Sequence, residues 1–389
     1  MSGTSADGID AALVEFKADE ITLIGFISPP LPAGLKQQLI QLNETPKIHL
    51  EQLCQLSFEL AQQFTQTSQA LLAKYNSHTS DITAIGSHGQ TIYHAPQIPM
   101  SLQIGHPALI AKQTKIQTVG DFRVDDMALG GQGAPFAPAF HQALFKSSSD
   151  RFVVNIGGIA NISYLPAQTE NSTKTQPNPK GFDTGPGNAL MDSICQSRFN
   201  QPYDDNGTLA QAGTVNTELL NSLLAHPYFS QPHPKSTGRE TFNETWLTRC
   251  IEQTFADSDS TDLSTLLSDE DLISTLCELT AITLSQAITQ TDTEHLSGNL
   301  PREQASESSP IKVWIVGGGA YNPTLIKRIQ HHLPNFNVQS SQACGLNPNA
   351  IEAMMFAWFA KQRIAHQTVP LSHVTGASRD AILGAVWLP

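Results

Sequence analysis

Three glycine-rich turns have the residue types and placement best suited to chemistry. They lie near residues 3–8, 157–158 and 317–319, each beside an apolar strand pattern. Glycine has no side chain to block close approach, so the main-chain N–H groups of such turns can converge on an anion. A single turn of this kind is better explained as a hairpin or helix cap that needs positive φ. Three of them in two related halves predict a cleft that holds a polyphosphate from both sides.

The sequence lacks the motifs of several other enzyme classes. It contains no G-x-x-x-x-G-K-[ST], no H-E-x-x-H and no G-x-S-x-G, and no strand is followed by G-x-G-x-x-G with an acid beyond it. The five cysteines are scattered, with no C-x-x-C pair. These observations exclude P-loop, dinucleotide-binding, metallopeptidase, serine-hydrolase and thiolate-zinc sites.

Strand and helix patterns surround the glycine turns. Apolar runs at 11–16 and 21–27 predict a hairpin after the first turn, and 151–165 repeats the order of strand, glycine pair and strand. Apolar residues spaced by three or four predict a long helix over 49–75, and 311–316 predicts a strand that ends at the third turn. The sequence therefore predicts an α/β protein.

Further elements are expected along the chain. We expect a buried strand at 82–86, helices at 186–199 and 269–290, a helix from Asn322, and surface insertions at 168–180 and 291–310. A closing helix is expected with Asn347 as N-cap and Pro348 in its first turn. One face of that helix is predicted to be core: Ile351, Met354, Met355, Trp358 and Phe359.

Length and composition limit the organisation and the partners. A chain of 389 residues has room for two or three domains. The order of strand, glycine turn and strand occurs twice, which predicts two similar domains, 1–140 and 141–389, around a cleft. The net charge of −13 disfavours binding to nucleic acid or anionic membranes. The start lacks signal-peptide features, the longest apolar run (353–360) is short of a bilayer span, and the cysteines are odd in number. We therefore expect a cytoplasmic protein.

Eight ordered motifs resemble the anhydro-N-acetylmuramic acid kinase family, and together they span nearly the whole chain. They are MSGTSADGID at 1–10, GSHGQT at 86–91, GDFR at 120–123, GGQGAP at 130–135, NIGGIAN at 155–161, GFDTGPGN at 181–188, KSTGRE at 235–240 and GGGA at 317–320. Members of the family carry a short apolar strand before the first motif, where this chain begins. Either the first sheet lacks a strand, with a cost in stability or ATP affinity, or the start site is set too late.

This resemblance implies the actin, Hsp70 and sugar-kinase fold, with two related ribonuclease-H-like domains around a nucleotide cleft. ATP would lie between the domains, held by two phosphate hairpins and an adenosine turn. The implied reaction is hydrolytic opening of the 1,6-anhydro ring of 1,6-anhydro-N-acetylmuramic acid and phosphorylation of O6, in cell-wall recycling. A homodimer is expected from the family alone.

The resemblance also implies that Asp183 is the catalytic base. The carboxylate would take a proton from the water that attacks the anomeric carbon, while the γ-phosphoryl group captures the departing O6. From the local pattern, Asp183 lies in a turn before a helix with Pro186 in its first turn, so the helix dipole is expected to favour the ionised form. The alternative is a capping aspartate without chemistry.

The three glycine turns correspond, by the same resemblance, to the nucleotide-binding segments. Asp7 is expected to orient the water shell of the Mg²⁺ that bridges the β- and γ-phosphates. The alternative is an ordinary turn residue, because aspartate is common in turns. The expected nucleotide-binding residues are Gly3, Thr4, Ser5, Ala6, Asp7, Gly8, Ile9, Asp10, Gly157, Gly158, Gly317, Gly318 and Gly319.

The expected sugar-binding residues are Ser87, His88, Gln90, Asp121, Arg123 and Glu352. Arg123 suits the lactyl carboxylate of the substrate, because a guanidinium binds a planar carboxylate through two hydrogen bonds. Its alternative is an ion pair with Asp125 or Asp126. His88 has a structural alternative, and Glu352 is also explained as a solvated side chain.

Two other functions remain compatible with these motifs. One is a kinase for a simpler anhydrosugar such as levoglucosan, which has no carboxylate for Arg123. The other is a non-catalytic ATP-binding switch, since the same fold also serves conformational work.

Overall fold

The computed structural model describes residues 1–3, 6–18, 20–168, 178–233, 235–256, 266–298 and 310–389, except for the side chains of 43, 44 and 294–298. They form two compact units, the first made of 1–145 and 349–389 and the second of 146–348. Sequence analysis placed all of 141–389 in one domain, which is a difference from the structure. The last segment returns to the first unit because its helix packs on the strands there.

The first unit contains three small sheets. A hairpin pairs β1 with β2, a second hairpin pairs β4 with β5, and a three-stranded sheet has the order β12, β6, β3. The strands, numbered along the chain, are β1 (Ala11–Lys17), β2 (Glu20–Ile27), β3 (Ile85–Gly86), β4 (Gln90–Ala95), β5 (Met100–Ile104), β6 (Thr118–Gly120) and β12 (Ala385–Trp387). The predicted hairpin at the head of the chain is confirmed, whereas the strand predicted at 82–86 is only two residues long.

Seven helices cover these sheets in the described part of the first unit. They are α1 (Ala33–Glu44), α2 (Leu50–Lys74), α3 (Pro107–Thr114), α4 (Phe122–Met127), α5 (Ala137–Leu144), α12 (Ile351–Ile364) and α13 (Ser372–Thr375). Helix α2 confirms the long amphipathic helix, and the predicted apolar face of α12 is buried. Asn347 is not its N-cap, because Pro348–Ala350 forms a 3₁₀ turn and Ala350 caps the helix.

Gly86 lets α12 lie directly on the three-stranded sheet. A Cβ built on Gly86 would overlap the carbonyl oxygen of Phe356, a backbone atom that cannot move without shifting the helix. We predict that Gly86→Ala lowers the free energy of unfolding by about 1–3 kcal/mol, the usual cost of overpacking, measured by urea denaturation.

Gly34→Ala is the matched control for that variant. Gly34 lies in α1, and no atom of the described residues lies within 4 Å of its Cβ position, so alanine should be neutral or stabilising there. Equal stability of Gly86→Ala and the parent protein would contradict the tight packing.

The second unit is built on one five-stranded sheet with the order β11, β10, β7, β8, β9. Strands β7, β8 and β9 form an antiparallel meander, and β10 and β11 run parallel to β7. The strands are β7 (Arg151–Ile156), β8 (Ile159–Leu165), β9 (Lys180–Pro186), β10 (Ile311–Val316) and β11 (Phe336–Ser340). This is the ribonuclease-H-like strand order of the actin, Hsp70 and sugar-kinase fold, so the predicted fold class is confirmed.

The helices of the second unit form its core with the sheet. They are α6 (Ala189–Phe199), α7 (Thr208–Ala212), α8 (Thr217–Leu224), α9 (Glu244–Thr254), α10 (Asp269–Gly298) and α11 (Pro323–His332). Helix α6 begins three residues later than predicted, because Pro186 is the last residue of β9. The predicted insertions lie largely outside the described residues, but Thr291 is a buried residue of α10 and not part of a surface insertion.

Helix α10 is the central helix of this core. Its segment Asp269–Thr293 is long and apolar enough to cross a membrane, but 78% of its most apolar window is buried inside the protein. Its apolar residues pack against the sheet and the neighbouring helices of the same unit. Its hydrophobicity is therefore explained by its place in the core.

Candidate active site

Two of the three predicted glycine turns lie side by side in the second unit. Gly157 and Gly158 connect β7 to β8, and the turn at 317–319 follows β10, the parallel neighbour of β7. Gly317 has φ +76°, and a Cβ on it would overlap Asn155 Oδ1. A Cβ on Gly319 would lie 2.5 Å from the side chain of Ile156. Both turns therefore lie at the carboxyl ends of two neighbouring parallel strands, β7 and β10.

The residues just before α6 hold the turn between β7 and β8 in place. The N–H groups of Gly187 and Asn188 donate to the carbonyl oxygens of Gly158 and Gly157, at 2.9 and 2.8 Å. A Cβ on Gly187 would overlap the Gly157 oxygen. Glycine is therefore required at 187 for close approach of two backbone segments.

Little of the described protein covers Gly157 in the hairpin turn or Gly318 in the third turn. The nearest atom to a Cβ on Gly157 would be Ile159 O at 3.7 Å, and a Cβ on Gly318 would have Asn188 Nδ2 at 3.4 Å. The carbonyl groups of Gly157 and Gly158 are bonded, but in the described part of the chain their N–H groups donate no hydrogen bond. Uncommitted amides on a bare glycine surface suit an anion such as a phosphate.

Asp183 lies in β9 and not in the predicted turn before a helix. It pairs with Asn161 of β8 next to a β-bulge, and α6 begins six residues later. The proposed effect of the helix dipole on Asp183 is therefore wrong. The sequence Gly-Phe-Asp-Thr-Gly-Pro-Gly has turn-forming residues, but pairing with β8 determines its conformation.

One carboxylate oxygen of Asp183 is anchored and the other is not. Oδ2 accepts hydrogen bonds from Ser236 Oγ at 2.8 Å and from the N–H of Thr237 at 3.1 Å. Oδ1 accepts none from the described residues. The backbone is held too, since the Asp183 N–H donates to Lys235 O and Tyr228 OH donates to Asp183 O. Oδ2 therefore holds the carboxylate in place, and Oδ1 is available to accept a proton.

Burial raises the pKa of Asp183, and the negative charge of Glu240 adds to the rise, while the bonds from Thr237 and Ser236 oppose it. A raised pKa makes the carboxylate a stronger base than an exposed aspartate. If Asp183 is the base, catalysis is lost as pH falls through this pKa, because the protonated form cannot accept a proton.

We predict that Ser236→Ala moves the acidic limb of kcat/KM to higher pH, because it removes a hydrogen bond that favours the ionised form. The measurement is a pH–rate profile of the variant and the parent protein. Ser230→Ala is the control, since Ser230 donates to Pro227 O and does not touch Asp183. An unmoved or downward-shifted limb would contradict the assignment of Asp183 as base.

The first glycine turn belongs to the first unit, and Thr4 and Ser5 lie outside the described residues. The Ala6 N–H donates to Gly3 O at 3.1 Å, and Ala6 has φ +51°. Ala6 and Ile9 are buried, and the Ile9 N–H donates to Pro29 O. Gly8 lies against Pro29 O, 2.8 Å from its Cβ position. Part of this turn is thus a packed element of the fold.

The two aspartates of this turn have different surroundings. Asp7 is exposed and its Oδ1 lies 2.6 Å from Lys36 Nζ. Asp10 is half-buried, its Oδ1 accepts from Ser28 Oγ at 2.6 Å, and burial raises its pKa. An exposed ion pair contributes at most about 1 kcal/mol, so Lys36 does not prevent Asp7 from taking a hydrated cation.

His88 and Arg123 contact each other in the first unit. Arg123 Nε donates to His88 Nε2 at 3.1 Å, Nη2 lies at the same distance, and Nη1 donates to Gly133 O at 2.5 Å. Burial and the Arg123 charge hold the pKa of His88 well below its usual range, so His88 is neutral. Desolvation lowers the pKa of Arg123 to about 10, which keeps it charged at neutral pH.

The ion pair of Arg123 with Asp125 or Asp126, which was the alternative to a carboxylate-binding role, is not formed. Asp126 instead accepts from Thr375 Oγ1 and the Gly133 N–H, and Asp125 accepts from the Gly384 N–H. His88 also stacks on Phe356, with ring centroids 4.5 Å apart. His88 and Arg123 therefore form one rigid pair.

The other predicted sugar-binding residues differ in exposure. Ser87 and Gln90 are buried, and Gln90 Oε1 has no hydrogen-bond partner in the described structure. Asp121 is exposed with φ +57°. Glu352 is exposed to water although neighbouring protein atoms and the charge of Asp10 raise its pKa, while Arg123 lowers it.

The segment 235–240 is the part of the site that sequence reasoning missed. Its resemblance to the family was evident, but no role followed from its residue types. Ser236 and Thr237 bind the Asp183 carboxylate across more than fifty residues of sequence. No local spacing predicts such a contact.

Comparisons with known proteins complete this description. The solved component A of (R)-2-hydroxyglutaryl-CoA dehydratase from Acidaminococcus fermentans aligns with a TM-score of 0.42 and 11% identity over 92% of this chain and 99% of that one. The anhydro-N-acetylmuramic acid kinase of Hydrogenovibrio crunogenus is 48% identical, covering 100% of this chain and 97% of that protein. The anhydro-N-acetylmuramic acid kinase of Saccharophagus degradans is 44% identical, covering 100% and 98%. The family model described as anhydro-N-acetylmuramic acid kinase matches residues 1–389. The chain therefore belongs to the anhydro-N-acetylmuramic acid kinase family.

Proposed function

We propose that this protein is an ATP-dependent kinase that opens 1,6-anhydro-N-acetylmuramic acid with water and phosphorylates O6, giving N-acetylmuramic acid 6-phosphate for cell-wall recycling. One observation carries the proposal beyond family membership. Among the described residues of the second unit, the Asp183 carboxylate is anchored through one oxygen only, and the amides of Gly157 and Gly158 donate no hydrogen bond. A base and a phosphate-binding turn are the two parts that this reaction needs.

Asp183 acts as the general base in the proposed reaction. Its unanchored Oδ1 accepts a proton from water, and the water oxygen forms a bond to the anomeric carbon. The bond between that carbon and O6 breaks, and O6 attacks the γ-phosphorus of ATP. The bond from the γ-phosphorus to the bridging oxygen then breaks, and ADP leaves. No separate acid is required, because the phosphoryl group takes the place that a proton has in ordinary glycoside hydrolysis.

The glycine turns hold the triphosphate in this proposal. We propose that the N–H groups of Gly157 and Gly158 donate to phosphate oxygens and that the turn at 317–319 binds the adenosine. Mg²⁺ would be held through Asp7, whose exposed carboxylate can orient its water shell, and would neutralise charge on the phosphates.

Arg123 is proposed to bind the lactyl carboxylate of the sugar. Its Nη1 and Nη2 retain donors that His88 and Gly133 do not use, since a guanidinium has five N–H groups. His88 is a positioning residue, because its neutral ring accepts from Arg123 and holds the guanidinium in place.

We predict that Arg123→Ala raises KM for anhydro-N-acetylmuramic acid about tenfold or more, the value of a lost charge-assisted hydrogen bond. Steady-state ADP release at varied sugar concentration measures this change. If the true substrate were levoglucosan, which lacks a carboxylate, KM for it would be unaffected by the loss of the guanidinium charge. Arg123→Lys separates the charge from the two-pronged geometry and is expected to be intermediate.

The decisive experiment compares the two sugars with Mg²⁺ and ATP. Anhydro-N-acetylmuramic acid should give a sugar 6-phosphate and ADP in equal amounts, and levoglucosan should give far less. ADP release equal to the sugar-free control would overturn the proposed function.

We also propose a cytoplasmic homodimer with a small anhydro amino sugar as its partner molecule, and no nucleic-acid or membrane partner. The net charge of −13 supports the latter two statements. Light scattering of the purified protein should give twice the mass of 42.1 kDa, and a monomer mass would contradict the dimer.

A further inference from the structure

We propose that Arg239 is a further catalytic residue, which binds the terminal phosphate of the nucleotide and stabilises the negative charge on the transferring phosphoryl group. The proposal rests on the kinase function proposed above. Neither the turn motifs nor the sequence reasoning assigned Arg239 a role.

The position of the Arg239 guanidinium carries this inference. Its Nη2, Nε and Cζ atoms lie 2.9, 3.2 and 3.4 Å from the Cβ position of Gly158. A guanidinium this close to the hairpin turn adds a positive charge to the open amides of Gly157 and Gly158. Glycine at 158 leaves the space that the guanidinium occupies.

The charge of Arg239 is not neutralised by the described part of the protein. Arg239 is exposed, and it forms no ion pair or hydrogen bond with a described residue. Two other arginines of the second unit, Arg151 and Arg328, differ in this respect. Arg151 donates to three carbonyl oxygens, and Arg328 contacts Glu278 and the Ser274 backbone. A positive charge beside an open anion-binding turn is therefore available for a ligand.

The segment that carries Arg239 also holds the proposed base. Thr237, two residues earlier, donates its N–H to Asp183 Oδ2, and Lys235 O accepts from the Asp183 N–H. The turn is closed on the other side, where the N–H groups of Thr241 and Phe242 donate to Gly238 O. One short, hydrogen-bonded segment thus places the base and the guanidinium together.

This arrangement suits phosphoryl transfer. Negative charge spreads over the equatorial oxygens of the transferring group, and a planar guanidinium can donate to two of them at once. No bond to Arg239 forms or breaks, so its contribution is electrostatic.

The test measures both turnover and nucleotide binding of Arg239→Ala. We expect kcat to fall about 10²–10³-fold, at or below the lower end of the roughly 10³–10⁵-fold contribution of arginine fingers. By calorimetry, a non-hydrolysable ATP analogue should bind about tenfold more weakly, while ADP affinity stays within about threefold. Arg239→Lys should recover part of kcat.

Two further variants distinguish this role from a structural one. Gly158→Ala places a Cβ against Nη2 and should displace the guanidinium, with the same preferential loss of triphosphate binding. Arg249→Ala, an exposed arginine of α9, should change neither measurement. All melting temperatures should agree within about 2 °C, since Arg239 supports no described contact.

Specific outcomes would overturn the proposal. A kcat within threefold of the parent protein, or equal weakening of ADP and triphosphate binding, would show that Arg239 does not act on the terminal phosphate. The binding measurements need no sugar. They therefore test Arg239 even if the parent protein fails to phosphorylate the anhydrosugar, a failure that would count against the proposed function alone.

Discussion

Replacing Asp183 by asparagine is expected to lower kcat by about 10²–10⁴-fold, the range that a general base contributes, while ATP still binds. Asparagine keeps the shape of the side chain, and its carbonyl oxygen can accept the bonds from Ser236 Oγ and the Thr237 N–H. It cannot take a proton from water. Stopped assays of ADP release, with ATP affinity measured separately, give the two values.

The stability of the same variant provides an internal check. Burial raises the pKa of Asp183 in the folded state, so the folded protein binds this proton more tightly than the unfolded chain. As pH rises from the pKa of Asp183 in the unfolded chain to its higher pKa in the folded protein, the carboxylate lowers the free energy of unfolding. This loss of stability persists at neutral pH. Asp183→Asn removes the charge and should be at least as stable as the parent protein at pH 7.

Asp205→Asn is the matched control, because Asp205 is an exposed aspartate of the same unit. It should retain full activity and unchanged stability. If Asp183→Asn retained turnover, Asp183 would be a structural residue of β9. If it lost activity only by unfolding, the same conclusion would follow.

Replacing Gly157 by alanine is expected to weaken ATP binding about 10–100-fold without a loss of stability. A Cβ at 157 meets no atom of the described residues closer than 3.7 Å, and Gly157 does not have positive φ, so the folded protein tolerates alanine. The methyl group would occupy the open face where the proposal places a phosphate. Losing one or two amide bonds to a charged oxygen accounts for the expected factor.

Gly187→Ala separates the phosphate surface from the hairpin's own packing. Its Cβ would overlap the Gly157 oxygen and disturb the two bonds that hold the turn. This variant should lose both stability and ATP affinity. Calorimetric titration and thermal unfolding of the two variants would show the contrast, and unchanged ATP affinity in Gly157→Ala would mean that the turn is only a hairpin connection.

The parts of the fold that sequence predicts well are those determined by local patterns. The hairpins at 11–27 and 151–165 follow from apolar runs that flank glycine or polar turns, and both are present. The buried face of α12 follows from its helical spacing. The turns at 157–158 and 317–319 were each predicted to lie beside an apolar strand, and each does, but the sequence did not predict that those strands are neighbours.

The failures concern contacts between distant residues. The turn-forming residues around Asp183 predicted a loop, but pairing with β8 across the sheet makes the segment a strand. Charge pattern offered an ion pair with Asp125 or Asp126 as the alternative role of Arg123, whereas its donors reach His88, 35 residues earlier. The return of 349–389 to the first unit depends on how α12 packs, which chain order does not reveal.

The proposed reaction is tested most directly by running it in ¹⁸O-labelled water and locating the label by mass spectrometry at early times. Attack by water on the anomeric carbon predicts one ¹⁸O at C1 of the sugar 6-phosphate and none in its phosphate group, with one ADP for each sugar. Label found in phosphate, or inorganic phosphate as the main product, would show that water attacks phosphorus and would contradict the role of Asp183 as the base that opens the sugar ring.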